Sequence, residues 1–266
     1  MKSVNGIGSE QVDAVYTGPE VDLWELIMGQ QIHVGGLRST LELADRAGLA
    51  AGTTGVDLCC CSGAGMRALV RLRGVASMLG VDANARMIER GRARCVEEGV
   101  ADRVRFVCAD VTASGLPSAS ADFAFGEDAW CYVADKPKLV AEAARLVRPG
   151  GTIAFTDWIE GNGLSEADAG QYLRIMRFPN VLSVADYRQL LEQNGLGVVA
   201  AEDTGRFAPA FELYLRMIEE QLEYDALRIV GFARERLDLV LQSLAFLRDL
   251  GQAGRVGQGR FVARRA

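Results

Sequence analysis

Three adjacent cysteines, Cys59, Cys60 and Cys61, stand directly before a glycine-rich turn in the stretch VDLCCCSGAGMR, residues 56–67. Thiols can hold a metal or do redox work, provided that their side chains converge. Zinc and iron–sulfur sites use spaced ligands such as C-x2-C, because neighbouring side chains diverge. GVDLCCC reads as a β-type run, in which Cys60 points away from its two neighbours. Cys95, Cys108 and Cys131 sit in separate segments, and His33 is the only histidine. The sequence therefore predicts no metal site, and the cysteines read as small, buried, apolar residues.

The glycines suggest a different chemistry. Gly63-Ala64-Gly65-Met66-Arg67-Ala68 fits the dinucleotide fingerprint G-x-G-x-x-G/A, and Asp82 follows at the distance expected of a ribose-binding acid. An NAD-dependent oxidoreductase is thus one reading. Against it, Cys59, Cys60, Cys61 and Ser62 intervene where the first glycine should follow the strand at once. Asp57 also places an acid inside the strand, where a dinucleotide site has no use for one.

The elements that must position these residues alternate. GVDLCCC, VASMLGVD, VRFVCAD, ADFAFGED, GTIAFTDW and LGVVAAED read as strands. Between them, GMRALVRLRG, ARMIERGRARCVEEG, KPKLVAEAARLVRPGG (stopped by Pro149 and a glycine pair) and VADYRQLLEQNG read as helices. This order predicts an α/β fold, a mostly parallel sheet covered on both faces. Residues 20–48 carry helical spacing around the turn IHVGG, and 208–250 are nearly all helical before a last strand, GQGRFVARR. Both helical stretches are expected to cap the carboxyl end of the sheet, where ligands bind in open α/β folds.

In this order the motifs resemble those of the class I S-adenosylmethionine-dependent methyltransferases. The family's first motif, hhDhGxGxG, falls on V-D-L-C-C-C-S-G, with Asp57 as the acid and Gly63 as the last glycine. Cys59 and Cys61 stand where the first two glycines usually are, and small residues are needed there for close approach to the cofactor. The resemblance implies Asp82 and Ala83 at the ribose, Met87 on the adenine face, and Asp110 with Val111 at the adenine edge. It also places Gly126 and Glu127 at the cofactor. E-A-A-R-L-V-R-P-G-G, 142–151, resembles the family's corner before the fifth strand. The implied architecture is a Rossmann-like sheet of seven strands over 51–205 and 257–266, with helical cap segments at 1–50 and 206–256. S-adenosyl-L-homocysteine would be the product.

Four segments resemble a narrower branch, the sarcosine/dimethylglycine-type N-methyltransferases and related small-molecule enzymes: IHVGG, GEDAWCYVADK, FTDWIEGNGLS and MRFPNVLSVADYRQLL. Histidine is frequent in that branch where Tyr132 stands here. Tyr132, Asp157 and His33 are the candidate catalytic groups. Trp130, Trp158, Arg177 and Phe178 are the candidate substrate contacts, with core packing the alternative for the two tryptophans. The leading acceptor is a small amine. An oxygen, sulfur or carbon nucleophile of a specialised metabolite is the alternative, and a protein that binds the cofactor without transferring methyl is another.

Composition narrows the partners. A formal charge of −6 over 266 residues argues against a nucleic-acid binder. No apolar run approaches the ~20 residues of a membrane span. The polar start MKSVNGIGSEQVDAVYTGPEVD has no signal-peptide core. The six cysteines do not form a secreted disulfide framework, so a reducing cytoplasm is expected. A small-molecule substrate is the expected partner, and a homodimer remains open.

Overall fold

Alternating strands and helices organise the computed structural model, which describes residues 1–266. The strands are β1 (Lys2–Ser3), β2 (Thr54–Leu58), β3 (Ser77–Asp82), β4 (Val104–Cys108) and β5 (Ala121–Glu127). Then follow β6 (Val147–Glu160), β7 (Asn180–Ser183), β8 (Leu196–Asp203) and β9 (Val256–Arg265). Seven of them form the main sheet in the order β4-β3-β2-β5-β6-β9-β8, parallel except for β9, which runs antiparallel to both neighbours. Short β7 extends the far end of β6, and β1 pairs with β7.

Eleven helices surround the sheet. The first five are α1 (Ser9–Thr17), α2 (Glu20–Met28), α3 (Gly36–Ala47), α4 (Ala64–Leu72) and α5 (Ala85–Glu97). α6 (Lys136–Leu146), α7 (Glu166–Met176) and α8 (Val184–Gln193) come next. The last three are α9 (Phe207–Met217), α10 (Glu223–Ile229) and α11 (Arg234–Gln252), with one π-helical turn, Ile218–Leu222, between α9 and α10.

Burial explains the layering. Residues 151–159 of β6 are buried without interruption, as a central strand covered on both faces must be. Leu43, Leu69, Ile88 and Cys95 of α3–α5 pack on one face of the sheet. Leu139 and Ala143 of α6 and Leu191 of α8 pack on the other. A third core, built by α2, α7, α9 and α11 around Trp158, forms the cap.

Four expectations are corrected. β2 ends at Leu58, so the three cysteines lie in a turn, not in the strand. α3 packs beside α4 on the sheet, and so belongs to the central layers although it falls inside the segment 1–50. α6 stops at Leu146, before Pro149, because Val147 already pairs with Ala121, and 148–150 bulge out of β6. Finally, α1 and α7 were not legible. α1 buries only Val15, so it shows no apolar stripe.

Candidate active site

The turn after β2 decides the shape of the site. Cys59 (φ 67°), Cys61 (φ 49°) and Gly63 (φ 71°) all adopt the left-handed backbone that favours glycine. Cys60, between them, is buried in the core against the face of β3. The amides of Cys59 and Cys60 close onto Val81 O, which fixes the turn to the end of β3. The backbone thus follows a glycine-rich path although two of its positions carry thiols. Both thiols are pushed up by burial, Cys61 to about 12, so they stay protonated.

A cavity of about 730 Å³ opens beside this turn at the carboxyl ends of β2–β4. That is within the ~300–1,000 Å³ of small-molecule sites. Asp82 ends β3 in its wall, where Cys61 N donates to Oδ2 at 2.8 Å and Asn84 N donates to Oδ1 at 2.8 Å. Ala83, Met87, Asp110 and Val111 line the same side. Across from them α1 forms a cover, contributing Ile7, Val12, Asp13 and Tyr16 from its length and approach. Asn84 donates to Asp13 Oδ1 at 2.7 Å and Arg86 to Thr17 O at 2.6 Å, tying α1 to the start of α5. Tyr132 completes the wall, its ring 5.5 Å from Tyr16 in an edge-to-face contact. Burial pushes both the Tyr132 and Tyr16 phenols well above their usual range.

A smaller cavity of about 50 Å³ adjoins the large one, sharing Tyr16, Cys59, Cys61 and Ala129. Its wall holds His33, Asp57, Glu127 and Asp128. Gly65 leaves room there for the Glu127 carboxylate, which a Cβ at that position would displace. Thr40 Oγ1 donates to Glu127 at 3.2 Å, and His33 Nε2 lies 3.4 Å from the other carboxylate oxygen. The contact has the spacing of an ion pair, yet burial lowers His33 to about 4 and raises Glu127 well above its usual range. Both groups are therefore neutral. Glu127 Oε1 and His33 Nδ1 are buried without a hydrogen-bond partner. Asp128 accepts from Val34 N at 2.8 Å and from Gln258 Nε2, and burial pushes it up to about 7.

Residues 56–155 match the model of a methyltransferase domain family. Over that stretch the chain is similar to a methyltransferase domain. Phosphoethanolamine N-methyltransferase 1 of Arabidopsis thaliana is 27% identical over 202 residues, 75% of this chain and 40% of that protein. 27-O-demethylrifamycin SV methyltransferase of Amycolatopsis mediterranei is 28% identical over 202 residues, 70% of this chain and 74% of that one. The chain spans less than half the length of the plant phosphoethanolamine relatives it matches. A candidate sarcosine dimethylglycine methyltransferase of Galdieria sulphuraria has the same fold. Its TM-score is 0.81 at 20% identity, covering 93% of this chain and 97% of that one.

The methyltransferase cofactor fits what the walls offer. Asp82 presents a carboxylate oriented by two amides for vicinal hydroxyls. The small cavity sets three carboxyl groups, Asp57, Glu127 and Asp128, beside two buried polar atoms without a hydrogen-bond partner. Asp57, Cys59, Cys61, Asp82, Ala83, Met87, Asp110, Val111 and Glu127 all line one cavity or the other. Gly63 and Gly126 do not: Gly63 starts α4, and a Cβ on Gly126 would strike the Trp130 indole.

The expected substrate side is largely core. Trp130 is fully buried, stacked on Phe155 at 3.9 Å, with its indole donating to Leu58 O. Trp158 is packed among Phe178, Phe207 and Phe211 in the cap. Phe178 is buried behind Tyr132, 4.8 Å away, and Arg177 is exposed at the end of α7. Asp157 is fully buried, accepting from Cys131 N at 2.9 Å and from Tyr187 OH. None of these five lines either of the two cavities. His33 faces the small cavity, and of the candidate catalytic groups only Tyr132 faces the large one. Tyr16 was missed by sequence reading, because nothing local distinguishes it from a helix-surface tyrosine.

Proposed function

We propose that this protein transfers a methyl group from S-adenosylmethionine to a nitrogen of a small molecule. The observation that carries the reading is the covered cleft in which Asp82, fixed by two amides, stands beside a glycine-like turn. When bound, the cofactor supplies a methyl group on a sulfonium, which an amine lone pair attacks while the sulfur keeps the electrons of the broken bond.

The protein's share is positioning and exclusion of water. Asp82 holds the ribose, Asp110 and Val111 the adenine, and Met87 packs on its face. Asp57 and Glu127 meet the ammonium of the amino-acid end. α1, with Tyr16, closes the cleft over Tyr132. A hydroxyl or carbon acceptor needs a base, and the 27-O-demethylrifamycin SV relative favours that second reading. The large cavity gives such a base little choice: its phenols and thiols are held protonated and its wall contains no histidine, which leaves only carboxylates. We also propose a reducing compartment, since all six cysteines are free.

Thermal melts and titrations test the cofactor. S-adenosylhomocysteine should raise the melting temperature by mass action, and NADH should not. Asp82→Ala should weaken S-adenosylhomocysteine at least about tenfold, because hydrogen bonds to a charged group contribute roughly 1.5–3 kcal/mol each. A response to NADH alone, or an unchanged dissociation constant in the variant, refutes the assignment.

A further inference from the structure

The charges around the large cavity are one-sided. Glu10, Asp13, Asp82, Asp110 and Asp135 line it against a single basic residue, Lys138, so its formal charge is −4 (five acids less one lysine). Lys138 is not free, since its Nζ lies 3.0 Å from Asp135 Oδ2. Lys136 is buried nearby with its ammonium held by Val133 O and Asn180 Oδ1, each at 2.7 Å. Arg90 is paired with Asp22 and Glu25, and Arg177 does not reach the cavity. Tyr16, Ala129, Tyr132, Val133, Ala134 and Pro179, which also line the cavity, are uncharged.

A phosphate or carboxylate brought into this space would find no cation, and a buried anion without a partner is strongly disfavoured. An ammonium finds a wall of net negative charge, in which Glu10 is left outside the pairs and cofactor roles given above, and two phenol rings, whose faces attract cations. Bound as an ammonium, the acceptor must lose its proton before its nitrogen can attack, and carboxylates in the wall are there to take it. We propose that the methyl acceptor is an amine carrying neither phosphate nor carboxylate, its apolar body seated against Tyr16 and Tyr132. The proposal rests on the methyltransferase reading above and deepens it. It separates this chain from any enzyme whose acceptor is a phosphobase or an amino acid.

Binding to the full chain preloaded with S-adenosylhomocysteine tests this without turnover. The probes are N-methylphenethylamine, its alcohol counterpart 2-phenylethanol, phosphoethanolamine and sarcosine, titrated calorimetrically. N-methylphenethylamine should bind at least about tenfold more tightly than either anion-bearing probe and more tightly than the alcohol. Tyr132→Ala should weaken the amine more than it weakens S-adenosylhomocysteine, while Tyr132→Phe, which keeps the ring, should retain most of the amine affinity. Asp135→Asn, which releases Lys138, should narrow the gap to phosphoethanolamine. Phosphoethanolamine or sarcosine binding as tightly as the amine overturns the proposal, as does tighter binding of the alcohol or no probe binding at all. Failure of S-adenosylhomocysteine itself to bind is a different result: it removes the methyltransferase reading, and this proposal with it.

Discussion

Cys59 and Cys61 hold a backbone that glycine would hold without strain, since a left-handed conformation costs an L-residue roughly 1–2 kcal/mol. Glycine would relieve that strain but gain freedom in the unfolded chain, at about 0.5–1 kcal/mol. The two effects nearly cancel. Cys59→Gly and Cys61→Gly should therefore shift stability by less than about 1 kcal/mol and keep S-adenosylhomocysteine binding. Cys61→Val, β-branched at the same φ, should be clearly destabilised and bind poorly. Urea melts with ligand titrations check this, and a well-folded, tight-binding Cys61→Val protein would show that the turn does not need small residues. The residues that line the large cavity beside the β2 turn were legible because they are tied to local backbone: an acid at a strand end, small residues at a tight turn. The substrate side was not. Trp130 and Trp158 look the same in sequence whether they line a pocket or fill a core, and Arg177 is separated from the cavity by the turn it occupies.

Among the elements, α1 has little packing of its own and a whole cavity to cover. It buries one residue and is held to α5 chiefly by Asp13, which accepts from Asn84, and by Thr17 O, which accepts from Arg86. Asn84 has a second duty, since its side chain caps α5 by accepting from Met87 N at 2.9 Å. Two variants separate these roles. Asn84→Ala loses cap and tether, so it should lower stability by about 1 kcal/mol and speed release of S-adenosylhomocysteine. Asp13→Ala loses only the tether, so it should speed release with little change in the melt. Stopped-flow dissociation and thermal melts give the comparison. Unchanged release from Asp13→Ala would mean that α1 does not retain the ligand. Helices with an apolar stripe, such as α5 and α8, could be read from the sequence. α1 could not, because its purpose is a polar contact with a distant loop, and pattern carries no record of that.

Across the whole molecule, acids are buried at the end of the sheet in unusual number: Asp57, Asp82, Glu127, Asp128 and Asp157 are all raised, with burial the largest cause. Their effect on stability has a definite sign. Asp128 keeps its proton to about pH 7 when folded and releases it near pH 3.8 when unfolded, so its contribution is lost as pH rises across that window. His33 acts oppositely. Its folded value of about 4 lies below the unfolded 6.5, so the unfolded chain gains protons and stability falls as pH drops from 6.5 to 4. Several acids outweigh one imidazole, so the ligand-free protein should melt higher near pH 5.5 than near pH 7.5. His33→Gln should steepen that preference and Asp128→Asn should weaken it. A cation in the small cavity favours the ionised acids, so S-adenosylhomocysteine binding near pH 7 should release protons. Calorimetry in buffers of different ionisation enthalpy would then give different apparent heats. A melting temperature higher at pH 7.5 than at pH 5.5, with heats independent of buffer, would mean that these carboxyl groups are already ionised in the free protein and that the small cavity is not where the ligand's ammonium binds.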